Sequence, residues 1–154
     1  MPVTLQPMPD ERLLEWIERG DREYIADRMR AGESREVAER NVARSRAETF
    51  VDGRPMPHHR IFEVVSDDQV VGVLWLAPRI AGSDQWWIYD IEIDESHRRR
   101  GYARAAIELG HAEAKANGAA AIGLNVFAFN EGARHLYESL GYEPTSIQMK
   151  LDLG

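Results

Sequence analysis

Cysteine is absent from the 154 residues, which excludes disulfide staples, thiolate nucleophiles, zinc ribbons and iron–sulfur ligation. A chain of this length is about one domain and can bury a core without such staples. Positive charge is also in deficit, with 19 Lys and Arg against 26 Asp and Glu and a formal charge of −7. That balance leaves no whole-molecule footprint for nucleic acid, so any anion must be bound locally. Long apolar runs are missing, and the start, Met1-Pro2-Val3-Thr4-Leu5-Gln6-Pro7, has neither a basic region nor an apolar stretch. The expectation is a cytoplasmic protein that is neither exported nor associated with a membrane. Linkers, repeats and low-complexity tracts are absent too, which predicts a single domain over residues 1–154.

What is present is an alternation of strand-like and helix-like segments. Val3 to Gln6 predicts a short strand closed by Pro7 and Pro9. Asp10 then caps a helix carrying Leu13, Leu14, Ile17, Tyr24, Ile25 and Met29, with Gly20-Asp21 as a point of interruption. A second helix runs from the cap Ser34 to Phe50, and Asp52 to Pro57 breaks the chain. Strands follow at Arg60–Ser66, Gln69–Leu76 and Trp86–Ile93, the first two joined by an Asp67-Asp68 hairpin turn. From Gly101 the period becomes helical, with Ala103, Ala106, Ile107, Gly110 and Ala114 on one face and a stop at Gly118. Ile122, Leu124 and Val126 alternate in a strand, Asn130 can cap a helix over Glu131–Leu140, and Ile147, Met149 and Leu151 alternate in a final strand. This order predicts one α/β (α+β) domain.

Chemistry concentrates where the strand ending at Ile93 meets a basic loop and then a helix opening at Gly101. A helix N-terminus presents unpaired N–H groups and about half a positive charge, and a glycine there lets a phosphate approach them closely. Arg98, Arg99 and Arg100 add cationic donors suited to phosphate, while Ala103 keeps the next turn slim. The alternative is a solvated charged loop. Neither the P-loop spacing nor the dinucleotide Gly-x-Gly-x-x-Gly pattern is present.

Arg98-Arg99-Arg100-Gly101-Tyr102-Ala103 resembles the Gln/Arg-x-x-Gly-x-Gly/Ala signature of the GNAT superfamily of acetyl-CoA-dependent N-acetyltransferases. Asn130-Glu131-Gly132-Ala133-Arg134-His135-Leu136-Tyr137, continuing to Gly141-Tyr142, resembles that family's Asn-x-x-Ala-x-x-Leu-Tyr-x-x-x-Gly-Phe/Tyr segment. The resemblance implies a mixed sheet with splayed central parallel strands, Trp86–Ile93 and Ala120–Phe127, flanked by helices on both faces. It further implies that acetyl-CoA is the cosubstrate, with its pyrophosphate on Arg98, Arg99, Arg100, Gly101, Tyr102, Ala103 and Arg104. Main-chain contacts to the pantetheine arm fall to Ile91 and Ile93, and Asn125, Asn130 and Ala133 line the remainder.

Transfer to an amine needs a proton acceptor, because an amine of lysine-like pKa is neutral in roughly one molecule per few thousand at pH 7. Asp90 and Glu92 lie one strand period apart and share a face, Glu92 being the first candidate base and Asp90 the second. The resemblance makes Tyr137 the donor to the departing thiolate. It also puts Trp87 where histone-acetylating relatives carry a glutamate base, which disfavours that subclass. His58-His59 are expected to be loop residues rather than metal ligands. Of Trp86 and Trp87, one belongs to the core and the other to an edge or pocket wall.

The acceptor implied is a primary amine of a small molecule or peptide, recognised around Arg28 to Arg35 and by the chain's end. The short stretch after Gly141 leaves that pocket open or completed by a second subunit of a homodimer. Two alternatives stand beside the enzyme: a non-catalytic acyl-CoA sensor, and a nucleic-acid binder using the arginine loop. The absence of cysteine favours direct transfer over a covalent acyl intermediate.

Overall fold

In the computed structural model, which describes residues 2–154, the chain begins with β1 (Val3–Pro7), α1 (Asp10–Arg30) and α2 (Arg35–Thr49). A small antiparallel pair, β2 (Phe50–Val51) and β3 (Arg54–Pro55), leads into β4 (Arg60–Ser66), β5 (Gln69–Pro78) and β6 (Gln85–Ile93). After one 3₁₀ turn at Glu95–His97 come α3 (Tyr102–Ala116), β7 (Ala121–Leu124) and α4 (Glu131–Ser139). Among the described residues no helix is long and apolar enough to cross a membrane.

Local chemistry sets several boundaries. The β4–β5 hairpin turns on Asp67 and Asp68 at φ 51° and 61°, the left-handed pair that a tight two-residue turn requires and that Asp tolerates. Ser34 caps α2, its hydroxyl accepting the Val37 N–H at 3.2 Å. Asp10 is the first residue of α1 rather than its cap, since Pro9 holds the extended cap position. α1 also runs unbroken through Gly20-Asp21. A glycine inside a helix costs about 1 kcal/mol against alanine, less than the gain from burying Leu13, Trp16 and Ile17 on the same helix.

The sheet has the order β1-β4-β5-β6-β7, antiparallel except for the parallel β6–β7 pair. Helices cover both faces. On one, Ala106, Ile107 and Ala114 of α3 pack on Val64, Leu74, Leu76, Trp86 and Ile88. Gly110 lets α3 sit close, because a Cβ there would stand 2.9 Å from Leu74 Cδ2. On the other, Leu13, Trp16 and Ile17 of α1 meet Phe50, Ile61 and Val73.

Two features of β6 position the site. Its ladder with β7 covers only Gln85–Ile88 against Ala121–Leu124, so β7 stops short of Phe127 and the two parallel strands part beyond that point. The pairing with β5 also slips. Ile88 faces Leu76 and Asp90 faces Trp75, leaving Tyr89 as an extra residue. One inserted residue inverts side-chain alternation. Trp86 and Ile88 before the bulge, and Ile91 and Ile93 after it, therefore all pack toward α3. Asp90 and Glu92 turn instead to the α1 side.

The final strand does not form. Residues 142–154 carry no ladder, and Ile147, Met149 and Leu151 stay exposed. Alternation specifies a strand with one apolar side, but a strand also needs an edge to pair with, and this chain's own fold does not bring one to the segment.

Candidate active site

The parting of β6 from the chain after Leu124 opens a cleft of about 610 Å³, roofed by α1 and α2 and reached by α4. Asp90, Ile91, Glu92, Asn125, Asn130 and Tyr137 all line it. The sequence therefore places six of its candidates in one cavity, although they come from β6, the chain after β7, and α4.

Three carboxylates descend into this cleft. Glu23 of α1 stands toward the rim, and its carboxyl is raised by burial and by the charge of Glu92. Glu92 accepts a hydrogen bond from Trp16 Nε1 at 3.0 Å, with Arg19 3.9 Å from its other oxygen. Asp90 lies deepest and is held well above the usual carboxylate range by burial first, then by a hydrogen bond to Glu92 and the charges of Glu92 and Glu23. Burial and the neighbouring negative charges both favour the protonated form of Asp90, which suits it to accept a proton.

Tyr137 faces the same charges from α4. Burial, and then the charge of Asp90, push its phenol up to about 12, so it remains a donor at neutral pH. Behind it, Tyr142 packs edge-on with ring centroids 5.8 Å apart. The Tyr142 hydroxyl in turn lies 2.7 Å from His111 Nε2.

An aromatic wall closes one side of the cleft. Tyr89, the bulged residue, stacks on Trp75 at 4.9 Å, and Trp75 Nε1 donates to His59 Nδ1 at 2.9 Å. His59 is thus a buried loop residue whose imidazole is pushed down to about 4, by burial and then by the charge of His58. Trp86 belongs to the core, whereas Trp87 lines the cleft. The Trp87 ring lies over Gly123, where a Cβ would approach to 2.8 Å, and the Arg79 guanidinium carbon sits 3.9 Å from the ring centroid.

The arginine loop lies past the end of β6 and does not line the cleft. Arg98 Nε donates to the Ile93 carbonyl at 3.0 Å, bracing the loop on the strand. Arg99 and Gly101 take φ 64° and 82°, and these two left-handed residues turn the chain into α3. Gly101, having no side chain, makes no side-chain cap at the start of α3. The Tyr102 side chain itself is buried in the core. Arg104 donates to Ser139 Oγ at 2.6 Å and ties α3 to α4. Ile93 turns toward α3, and half-buried Ala133 lies outside the cleft wall. Asn130 occupies the cap position of α4 without a cap hydrogen bond.

The residues missed in the sequence are Trp16, Glu23, Tyr24 and Asp27 of α1, with Trp75 and Tyr89. Trp16, Gly20, Glu23, Tyr24 and Asp27 follow helical spacing, so one polar stripe of α1 was a usable signal. The last turn of α1 contributes Arg28, whose guanidinium donates to both oxygens of Glu33 in the α1–α2 connection, at 2.8 and 2.6 Å. Gln148 adds a wall residue from the chain's end. Among the described residues no cluster of three His, Asp or Glu side chains could hold a metal ion.

Comparison with known proteins agrees with this fold. The chain is 28% identical to the uncharacterized N-acetyltransferase YycN of Bacillus subtilis (strain 168), over 99% of this chain and 100% of that protein. It is 33% identical to the uncharacterized N-acetyltransferase YdgE of the same organism, over 66% of each chain. The crystal structure of YycN superposes with a TM-score of 0.88 at 27% identity, covering 99% of both chains. AAC(6')-Iy, solved with the bisubstrate analog CoA-S-monomethyl-acetylneamine, shares the fold at 16% identity, a TM-score of 0.62 and 99% and 98% coverage. The acetyltransferase (GNAT) family model matches residues 11–142, and the chain belongs to that family of acetyl-CoA-dependent acyltransferases.

Proposed function

We propose that the protein transfers the acetyl group of acetyl-CoA to a primary amine of a small molecule or peptide, directly and within a ternary complex. The observation that carries this reading is the meeting of a protonated phenol, Tyr137, with the Asp90 and Glu92 carboxylates in the cleft between two parted parallel strands.

The uncapped start of α3 at Gly101 fits the pyrophosphate, with Arg99 and Arg100 as exposed cations beside it. The CoA analog bound by AAC(6')-Iy supports the same use of the fold. The pantetheine arm then follows the gap between Ile91 and Asn125 toward Tyr137.

An ammonium acceptor must lose a proton before it attacks. The Asp90–Glu92 pair takes that proton as one unit, and Glu23 passes it to solvent at the rim. Trp16 and Arg19 hold Glu92 in place while it does so. As the thioester carbon–sulfur bond breaks, the Tyr137 hydroxyl donates to the departing sulfur, and the second proton shed by the newly acylated nitrogen restores the phenol. The negative charge of Glu23, Asp27 and Glu92 and the faces of Trp75 and Tyr89 suit a cationic acceptor.

Incubation with acetyl-CoA and a panel of primary amines, followed for free thiol and for the acetylated product by mass spectrometry, tests the proposal. Amine-dependent thiol release with a matching product is the expected result. Tight acetyl-CoA binding without release for any amine class would make the protein a sensor instead.

A further inference from the structure

Arg28, Arg46 and Arg79 line the cleft. The first two are committed, Arg28 to Glu33 and Arg46 to Asp21. Among the described residues Arg79 enters no ion pair, and its side chain rests on the face of Trp87. An unpaired cation on open surface is ordinary. This one lies on a cavity wall and is placed there by the fold. The Arg79 N–H donates to the Gln85 carbonyl at 2.9 Å, which extends the β5–β6 ladder one step past the Pro78–Trp86 pair. Arg79 thus lies opposite Gln85, and Gln85 shares a face of β6 with Trp87, so the guanidinium falls on the indole. Trp87 is itself seated on Gly123.

The cleft therefore has two chemical ends. Trp87, Tyr89, Asp90 and Glu92 all line it from β6. Trp87 and Asp90 stand three residues apart, about 10 Å along an extended strand and less across the bulge. Asp90 and Glu92, with Glu23 and Asp27 of α1, make one end acidic. Tyr89 lies between, where burial raises its phenol while the charges of Arg79 and Glu48 act on it in opposite directions. Beyond Tyr89 stands the exposed guanidinium of Arg79.

We propose that Arg79 receives a carboxylate carried by the acceptor, which makes the acceptor class an ω-amino carboxylate: a primary amine joined to its carboxylate by a chain of several carbons. The proposal rests on the acetyl-transfer reading above. The ammonium end lies at Asp90 and Glu92, the chain crosses the faces of Trp75 and Tyr89, and the carboxylate meets the guanidinium fork. An α-amino acid, whose two groups share one carbon, is too short to reach both ends. A diamine of the right length would bring a second cation against Arg79, which repels it. In the transfer the nitrogen–carbon bond forms as the carbon–sulfur bond breaks. One ammonium proton goes to the Asp90–Glu92 pair, the second restores Tyr137, and the carboxylate is unchanged.

Three acceptors of equal chain length test the role of Arg79: ε-aminocaproate, hexylamine and hexamethylenediamine, whose far ends are an anion, a methyl group and a cation. Rates of free-thiol release with acetyl-CoA give kcat/KM for each. The expected wild-type order has ε-aminocaproate first, by about tenfold or more over hexylamine, and the diamine last. Arg79→Met should erase that advantage through KM, and Arg79→Glu should move the diamine above ε-aminocaproate. The order is read within each protein, so a loss of folded enzyme, which lowers all three rates together, leaves it intact. Equal rates, a wild-type preference for the diamine, acetylation of other amines but not of ε-aminocaproate, or a carboxylate advantage that survives Arg79→Met would each overturn the role of Arg79 and leave acetyl transfer standing. Acetyl-CoA binding without thiol release for any amine would overturn both.

Discussion

The loop proposed to hold phosphate, past the end of β6, and the cleft proposed to hold the amine are built in opposite ways. At the phosphate end, contiguous residues suffice: the strand stops at Ile93, Arg98 braces the loop, Arg99 and Gly101 turn it, and α3 begins. The binding power proposed there is backbone N–H groups and exposed arginines, both local properties. At the acceptor end, Glu23, Asp90 and Tyr137 come from three elements and act through one another's fields. The difference teaches that the cofactor end is robust to distant change, whereas the chemical end depends on the register of the whole sheet.

The comparison breaks most sharply at Tyr137. Tyr137→Phe removes a hydroxyl without changing the buried ring, and proton donation commonly contributes 10²–10⁴-fold. The expected outcome is a loss of about a hundredfold in kcat with acetyl-CoA affinity preserved in titration calorimetry. A rate unchanged in both steady-state and single-turnover assays would remove the phenol from the chemistry.

Gly101→Val sharpens the other side. Space around a Cβ at Gly101 is open, so the substitution tests backbone conformation and not crowding. An L-residue in the left-handed region costs about 1–2 kcal/mol, and a β-branched one tolerates it poorly. Acetyl-CoA should bind roughly tenfold more weakly, with kcat at saturation little changed. Normal affinity would place the pyrophosphate elsewhere.

The smallest effect concerns the wall behind the acceptor end. His59 ionises near 6.5 when unfolded but only at about 4 when folded. Between those values the unfolded chain binds the extra proton, so stability is present above pH 6.5 and is lost as pH falls toward 4. Melting temperature should decline by a few degrees across that window. His59→Asn should lower it at pH 8, by weakening the bond from Trp75, and flatten the decline. An equal slope in both proteins would assign the acid sensitivity to other groups.

Local signals carried much of the fold. The Asp67-Asp68 turn, the Ser34 cap and the strand–loop–glycine order into α3 each depend on a few neighbouring residues, and each was legible. The pairing of Asp90 with Glu92 on one face was legible for the same reason. Gly20 misled, because helix propensity there is overruled by packing on either side. The strand around Ile147 misled in another way: its alternation is present, but among the described residues it joins no ladder.

What the sequence by itself determined is the family, the loop-to-helix turn at Gly101 and the types of residue available for proton transfer, since these reside in contiguous motifs. Only the tertiary structure decided where the carboxylates point. The extra residue Tyr89 opposite β5 turns Asp90 and Glu92 out of the α3 core and under Glu23 of α1. A bulge is a relation between two strands, and no reading of one strand alone contains it.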